Sequence, residues 1–194
     1  MEEIKKLLTK DVGYLPEGGG VDRLLSLGQC HKWPGKKIIT EAGQYDANVY
    51  IVKSGVIRFY DVIAGKERTY AFGIPGDFFM SKYSFVKGLG SYYNVQTCCP
   101  SEIVCISNKD FWREVESDHQ LALWMLRNAY DELFYQEYKN SNVHKGTARE
   151  RLVAILSDRP MLVERVPQRM LASYLGITPE YFSTLKRDVL KNGV

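Results

Sequence analysis

Between Val166 and Arg187, charged and hydrogen-bonding side chains alternate with apolar ones in an order suited to nucleic acid. Gln168 and Arg169 carry donors for backbone phosphates, which position a protein on a duplex without reading its sequence. Glu180 is an acceptor for a cytosine N4 amine, Ser183 and Thr184 suit base edges or phosphates, and Lys186 and Arg187 add positive charge. These groups must be offered along one side of a helix. Leu171, Leu175, Ile177, Phe182 and Leu185 supply the opposite, apolar face at mixed three- and four-residue spacing. Ala172 is small where two helices would cross, and Gly176 stands where the turn between them needs a positive φ. Thr178 caps the second helix, with Pro179 at its first position and Glu180 in its first turn, favourable against the helix dipole. This is the grammar of a helix-turn-helix, whose second helix enters the major groove. A plain helical hairpin in a core would share the apolar spacing; Ala172, Gly176 and Thr178 in register favour the DNA-reading form.

Other chemistry has little support. The four cysteines, Cys30, Cys98, Cys99 and Cys105, form no CxxC pair and suit a reducing, cytoplasmic setting. Cys98 and Cys99, placed in one strand, would point to opposite faces and share neither a metal nor a disulfide. With only His31, His119 and His144, and none expected within a strand, neither a histidine-rich metal site nor a cupin-type enzyme is expected. No Ser-His-Asp set, Walker loop or carboxylate pair stands out, so the chain is not expected to be an enzyme.

The net charge of +3 is too small to imply nucleic acid by itself, but its distribution is uneven. From Val143 onward nine basic residues face five acidic ones, a net of +4, which leaves about −1 for the rest. A basic C-terminal module on a near-neutral body suits a phosphate-facing surface. The N-terminus lacks an apolar core of signal-peptide length, and no run approaches the ~20 apolar residues of a membrane span.

The elements that carry these groups follow from periodicity. Residues up to about Leu27 read as helix, a break at Pro16–Gly20, and a short second helix. From Trp33, runs rich in β-branched and aromatic residues recur between glycines, predicting about seven short strands in an antiparallel barrel or sandwich. Ser81–Gly90 predicts a short helix or loop. After Lys109 the period becomes helical, and Leu123, Leu126, Tyr130 and Leu133 form a seam of the coiled-coil type, with Phe134 beside it. One face would pack on the β-domain and the other on a second copy; a plain core helix would share the pattern. Asn140–Gly146 reads as a hinge, Thr147 opens another helix that ends at Asp158–Pro160, and Met161–Val166 reads as an extended connection.

In this order the chain resembles the Crp/Fnr family of bacterial transcription regulators. The resemblance covers about Leu24 to Lys191. It rests on Pro34–Gly43, Val49–Tyr60 and Gly76-Asp-Phe-Phe, similar to turns of the cyclic-nucleotide-binding β-roll, and on Leu171–Ser183, similar to the family helix-turn-helix. It implies an α+β chain: an N-terminal antiparallel β-roll (residues 1–115), a dimerisation helix and hinge (116–142), and a winged helix-turn-helix with a reduced wing (143–194). It also implies a homodimer reading a near-palindromic operator in double-stranded DNA, with RNA polymerase as a further partner and no membrane.

The departures shape the expectation. In cyclic-AMP-responsive members a Gly-Glu pair and an Arg-Ser/Thr pair cradle the nucleotide. Gly76-Asp77 resembles the first in shortened form, and the second falls on Ser91-Tyr92, so the cyclic phosphate loses a guanidinium contact of about 1.5–3 kcal/mol. Tyr92 and Tyr93 would also crowd the pocket. Cyclic AMP is therefore not the expected effector, no cofactor is expected, and any effector is another small molecule. Only Cys30 lies in the first ninety residues, against an N-terminal iron–sulfur cluster, and no haem ligand stands out. In the recognition helix, family arginines fall on Pro179 and Thr184, whereas Glu180 matches the family glutamate. The operator should differ from the family consensus. The alternative is a ligand- or protein-binding β-roll whose C-terminal module no longer reads DNA.

Overall fold

The structure, a computed structural model, describes residues 2–138 and 146–192. Helices α1 (Glu2–Leu8) and α2 (Gly20–Ser26) lead into eight strands in two antiparallel sheets. One sheet is ordered β1 (Gln29–Trp33), β8 (Ser101–Ile106), β3 (Val49–Ser54), β6 (Phe78–Phe79). The other is β2 (Ile38–Thr40), β7 (Asn94–Thr97), β4 (Ile57–Ile63), β5 (Lys66–Gly73). A short helix, α3 (Lys82–Lys87), is capped by Ser81 between β6 and β7.

Strand β3 explains why the roll is stable. Its apolar run is buried on both faces: Tyr50 and Val52 meet Ile57, Val95 and Ile103 between the sheets, and Val49 and Ile51 meet Leu24, Leu121 and Trp124 of the helices. Side chains alternate along a strand, so one continuous apolar run serves two cores. Two details differ from the sequence expectation. The first strand begins at Gln29, so His31 does lie in a strand, where its ring stacks on Trp33 at 5.2 Å. Cys98 and Cys99 lie in a bend just after β7, not within it.

Helix α4 (Asn108–Ser117) precedes α5 (His119–Tyr138), the longest element. Trp124, wholly buried, anchors α5 by donating its indole N–H to the Tyr14 carbonyl at 2.9 Å and by packing on Phe78. The expected hinge lies outside the described residues except for Gly146. The C-terminal module comprises α6 (Ala148–Asp158), α7 (Pro160–Arg165), α8 (Gln168–Leu175) and α9 (Pro179–Asn192). Thr147 and Glu150 form a capping box that starts α6. The stretch expected to be extended is helix α7. Helix α6 does end at Asp158, as expected, and Pro160 also opens α7, because the first helical position tolerates a missing N–H and suits the fixed φ of proline. No strand follows β8 among the described residues, so the module there consists of helices alone.

Candidate nucleic-acid interface and ligand cavity

Helices α8 and α9 meet across a tight turn at Gly176, whose φ is +66°. Ile177 N–H donates to the Ala172 carbonyl at 3.0 Å and Gly176 N–H to that of Ser173 at 3.2 Å, closing the end of α8. Thr178 Oγ1 accepts from Tyr181 N–H at 3.2 Å and caps α9. Phe182, Leu185 and Val189, all buried, anchor α9 against Leu171 and Leu175, with about 1.5–3 kcal/mol from each large side chain. The opposite side presents Pro179, Glu180, Ser183, Thr184 and Arg187 to solvent, with Gln168 and Arg169 exposed at the start of α8. Ser183 Oγ bonds Gln168 Oε1 at 3.1 Å, tying the two helix starts together. Lys186, half-buried, and Arg187 line a shallow basic hollow with Lys191. The nine residues singled out from the sequence therefore share one neighbourhood.

The module rests on the second sheet. Val56, Phe72 and Cys98 from the β-roll join the core that holds Leu171 and Phe182, and Phe72 meets the Tyr174 ring at 5.1 Å. Ser173 Oγ accepts from Thr69 N–H at 3.0 Å and donates to the Glu67 carbonyl at 2.9 Å, bonding α8 to the edge of β5. Beneath, Arg58 is 1% exposed and satisfied by Gln96, Glu67 and Thr69, with its guanidinium over the Tyr60 ring at 4.0 Å. Neither Ser173 nor Arg58 was picked out by sequence; a polar residue inside an apolar pattern was the available signal.

A cavity of about 720 Å³ opens between the roll and α5. Phe59, Tyr70, Phe79 and Tyr93 line it from the roll, Met125 and Tyr135 from α5, and Arg159 from the module. The four residues expected to form an effector pocket divide. Gly76 and Asp77 line the cavity but are engaged in the β5–β6 turn: Asp77 Oδ2 accepts from Ile74 N–H at 2.8 Å, and Oδ1 pairs with Lys10. Gly76 has φ +94°, and a Cβ there would lie 2.4 Å from the Leu7 carbonyl oxygen, so glycine serves the packing of α1. Ser91 is buried elsewhere, its hydroxyl donated to the Tyr93 carbonyl at 2.8 Å. Tyr92 points outward against Tyr83, so Tyr93 alone of the two tyrosines narrows the space. The register shifts by one residue between Phe59↔Ala71 and Tyr60↔Thr69, so Tyr70 sits at a bulge, and simple alternation could not have placed it. Burial pushes the Tyr70 hydroxyl up to about 12.

On α5 the seam residues Leu123, Leu126, Tyr130, Leu133 and Phe134 are all exposed, Phe134 by 67%. Trp124 takes the face toward the roll, so the helix has an apolar side turned in and another turned out.

Residues 30–118, from β1 through α4, match the family model of the cyclic nucleotide-binding domain. That match covers most of the β-roll and less than half of the chain. Over most of its length the chain shares its fold with solved structures. It is similar to FixK2 from Bradyrhizobium japonicum, at 20% identity over 86% of each chain with a TM-score of 0.72. It is similar also to a CooA mutant from Carboxydothermus hydrogenoformans, at 23% identity over 95% of this chain and 85% of that one, TM-score 0.65. The catabolite activator protein of Thermus thermophilus gives 22% identity over 97% and 88%, TM-score 0.56. No curated protein matches the chain in sequence. Within this cyclic nucleotide-binding domain fold, no helix of the described residues is long and apolar enough to cross a membrane.

Proposed function

We propose that the chain is a homodimeric, sequence-specific DNA-binding transcription regulator that does not respond to cyclic AMP. The observation that carries this is the polar side of α9, presented to solvent beside Gln168 and Arg169 while Phe182, Leu185 and Val189 hold its other side in the core. The exposed seam of α5 supports pairing with a second copy, which would set two α9 helices about 34 Å apart on a near-palindromic site. Ser91 and Tyr92 lie away from the cavity, which supports an effector other than a cyclic nucleotide. Selection from random duplexes at low salt should enrich one two-fold sequence. Glu180→Ala should weaken that site by about 1–3 kcal/mol and relax one position, whereas Arg187→Ala should weaken all duplexes alike and lower the salt slope. No enriched sequence, or unchanged affinity in both variants, would overturn the proposal.

A further inference from the structure

The cavity beside α5 has walls and a rim of different chemistry. At the wall, Phe59 meets Tyr93 edge to face, at 5.4 Å and 88°, and Tyr93 meets Tyr70 at 6.0 Å and 73°. Tyr93 thus stands nearly perpendicular to both neighbours, and π faces attract positive charge while excluding water. At the rim stand Asp11, Asp77, Asp131 and Glu132 against the two lining cations Lys82 and Arg159. Asp77 pairs with Lys10, and Glu132 lies 3.8 Å from Lys82. The carboxylates of Asp11 and Asp131 have neither a hydrogen bond nor an ion pair among the described residues. Burial holds the Asp11 carboxyl above its usual range despite Lys10, and the charges of Asp77 and Asp131 push it the same way. The excess charge is negative, unsuited to a phosphate anion and suited to a cation.

We propose that this cavity binds an organic cation, a bulky protonated or quaternary amine carrying apolar groups. The inference rests on the reading of the β-roll as the sensor and names the class of its effector. The ammonium sits against Phe59, Tyr70 and Tyr93, with Asp131 and Asp11 as counter-charges. Arg159 gives the site a link to the DNA-reading module. Its guanidinium lies 4.8 Å from the centre of the Tyr135 ring, and both residues line the cavity. A cation entering the site repels Arg159, whose charge already acts on Asp11. Ligand and docked Arg159 therefore oppose each other, and by linkage each weakens the other.

The test is isothermal titration of the full chain, without DNA, using benzyltrimethylammonium, its uncharged carbon isostere neopentylbenzene, and cyclic AMP. The cation should bind at least about tenfold more tightly than the isostere, as expected for a desolvated cation–π site. Asp131→Asn, at an exposed rim position, should weaken the cation about three- to tenfold and leave the isostere unchanged. Arg159→Gln should tighten the cation by several-fold. Tyr93→Leu should lose about tenfold, with circular dichroism confirming its fold. No heat with millimolar cation, equal binding of the isostere, or tighter binding of cyclic AMP would each overturn the proposal. Cation binding by a chain that selects no duplex would uphold this site and overturn the regulator reading; the converse result would do the reverse.

Discussion

Cys98 and Cys30 show how far place decides the behaviour of a residue type. Cys98 is 5% exposed beneath the C-terminal module, and burial pushes its thiol up to about 12, although the Arg58 guanidinium pulls the other way. Thiolate is the reactive form, so almost none is available near neutral pH. Cys30 is exposed on β1. Iodoacetamide at pH 8 should label Cys30 first and Cys98 at least about a hundredfold more slowly, reaching it only on unfolding. Peptide mass spectrometry distinguishes the two, and equal rates in the folded chain would contradict the burial. The clustering of the exposed polar set on α8 and α9 was legible at this scale because a turn glycine and a cap threonine have fixed jobs. The pocket set was only half legible: the positions of Ser91 and Tyr92 depend on how one loop folds back, as Ser91 N–H donates to the Gln44 carbonyl and Gly43 N–H to that of Ser91.

Among the elements, α5 has the clearest consequence. Its three- and four-residue apolar steps were readable as a seam, and its second apolar face, around Trp124, follows from the neighbouring positions. Replacing both Leu126 and Leu133 by Asp places charge on a stripe already in solvent, so the fold should survive. On the proposed pairing through this stripe, sedimentation should show a parent dimer and a monomeric variant, with affinity for any selected duplex lost alongside. A variant that sediments like the parent would overturn pairing through this face of α5. Helix α7 was not legible in this way. Six residues give too few repeats for a period, and a proline can end a helix or begin one depending on a neighbour distant in sequence. Most strands were readable from glycine spacing, but β1 was not. The sequence Gln29-Cys-His-Lys-Trp33 has no strong β pattern, and its pairing with β8 along Gln29–Trp33 makes it a strand.

At the scale of the whole molecule, the C-terminal module and the roll share a core across the Phe72–Tyr174 contact. Burial pushes Tyr174 up to about 12 from an ordinary value of 10, and Tyr70 likewise. An acid whose pKa rises on folding favours the folded state fully below its unfolded pKa. That contribution is lost as pH rises from about 10 to about 12. The urea midpoint should therefore fall over this window, and Tyr174→Phe should flatten part of the decline. Tyrosine absorbance at 295 nm followed alongside tests it. A midpoint independent of pH between 10 and 12 would show that these hydroxyls ionise without loosening the contact.

Ser173 carries a further implication for how such a molecule can move. Strand β5 is the last in its sheet, and Thr69 N–H and the Glu67 carbonyl on its open side are occupied by one hydroxyl of α8. Lifting the module away would bare a β edge beside Val56 and Phe72, a template for pairing with a neighbouring chain. The C-terminal module thus also guards the β-roll against self-association. Any swing that frees α8 must be brief or must bring another surface over that edge, and crowding many open copies together would favour precipitation.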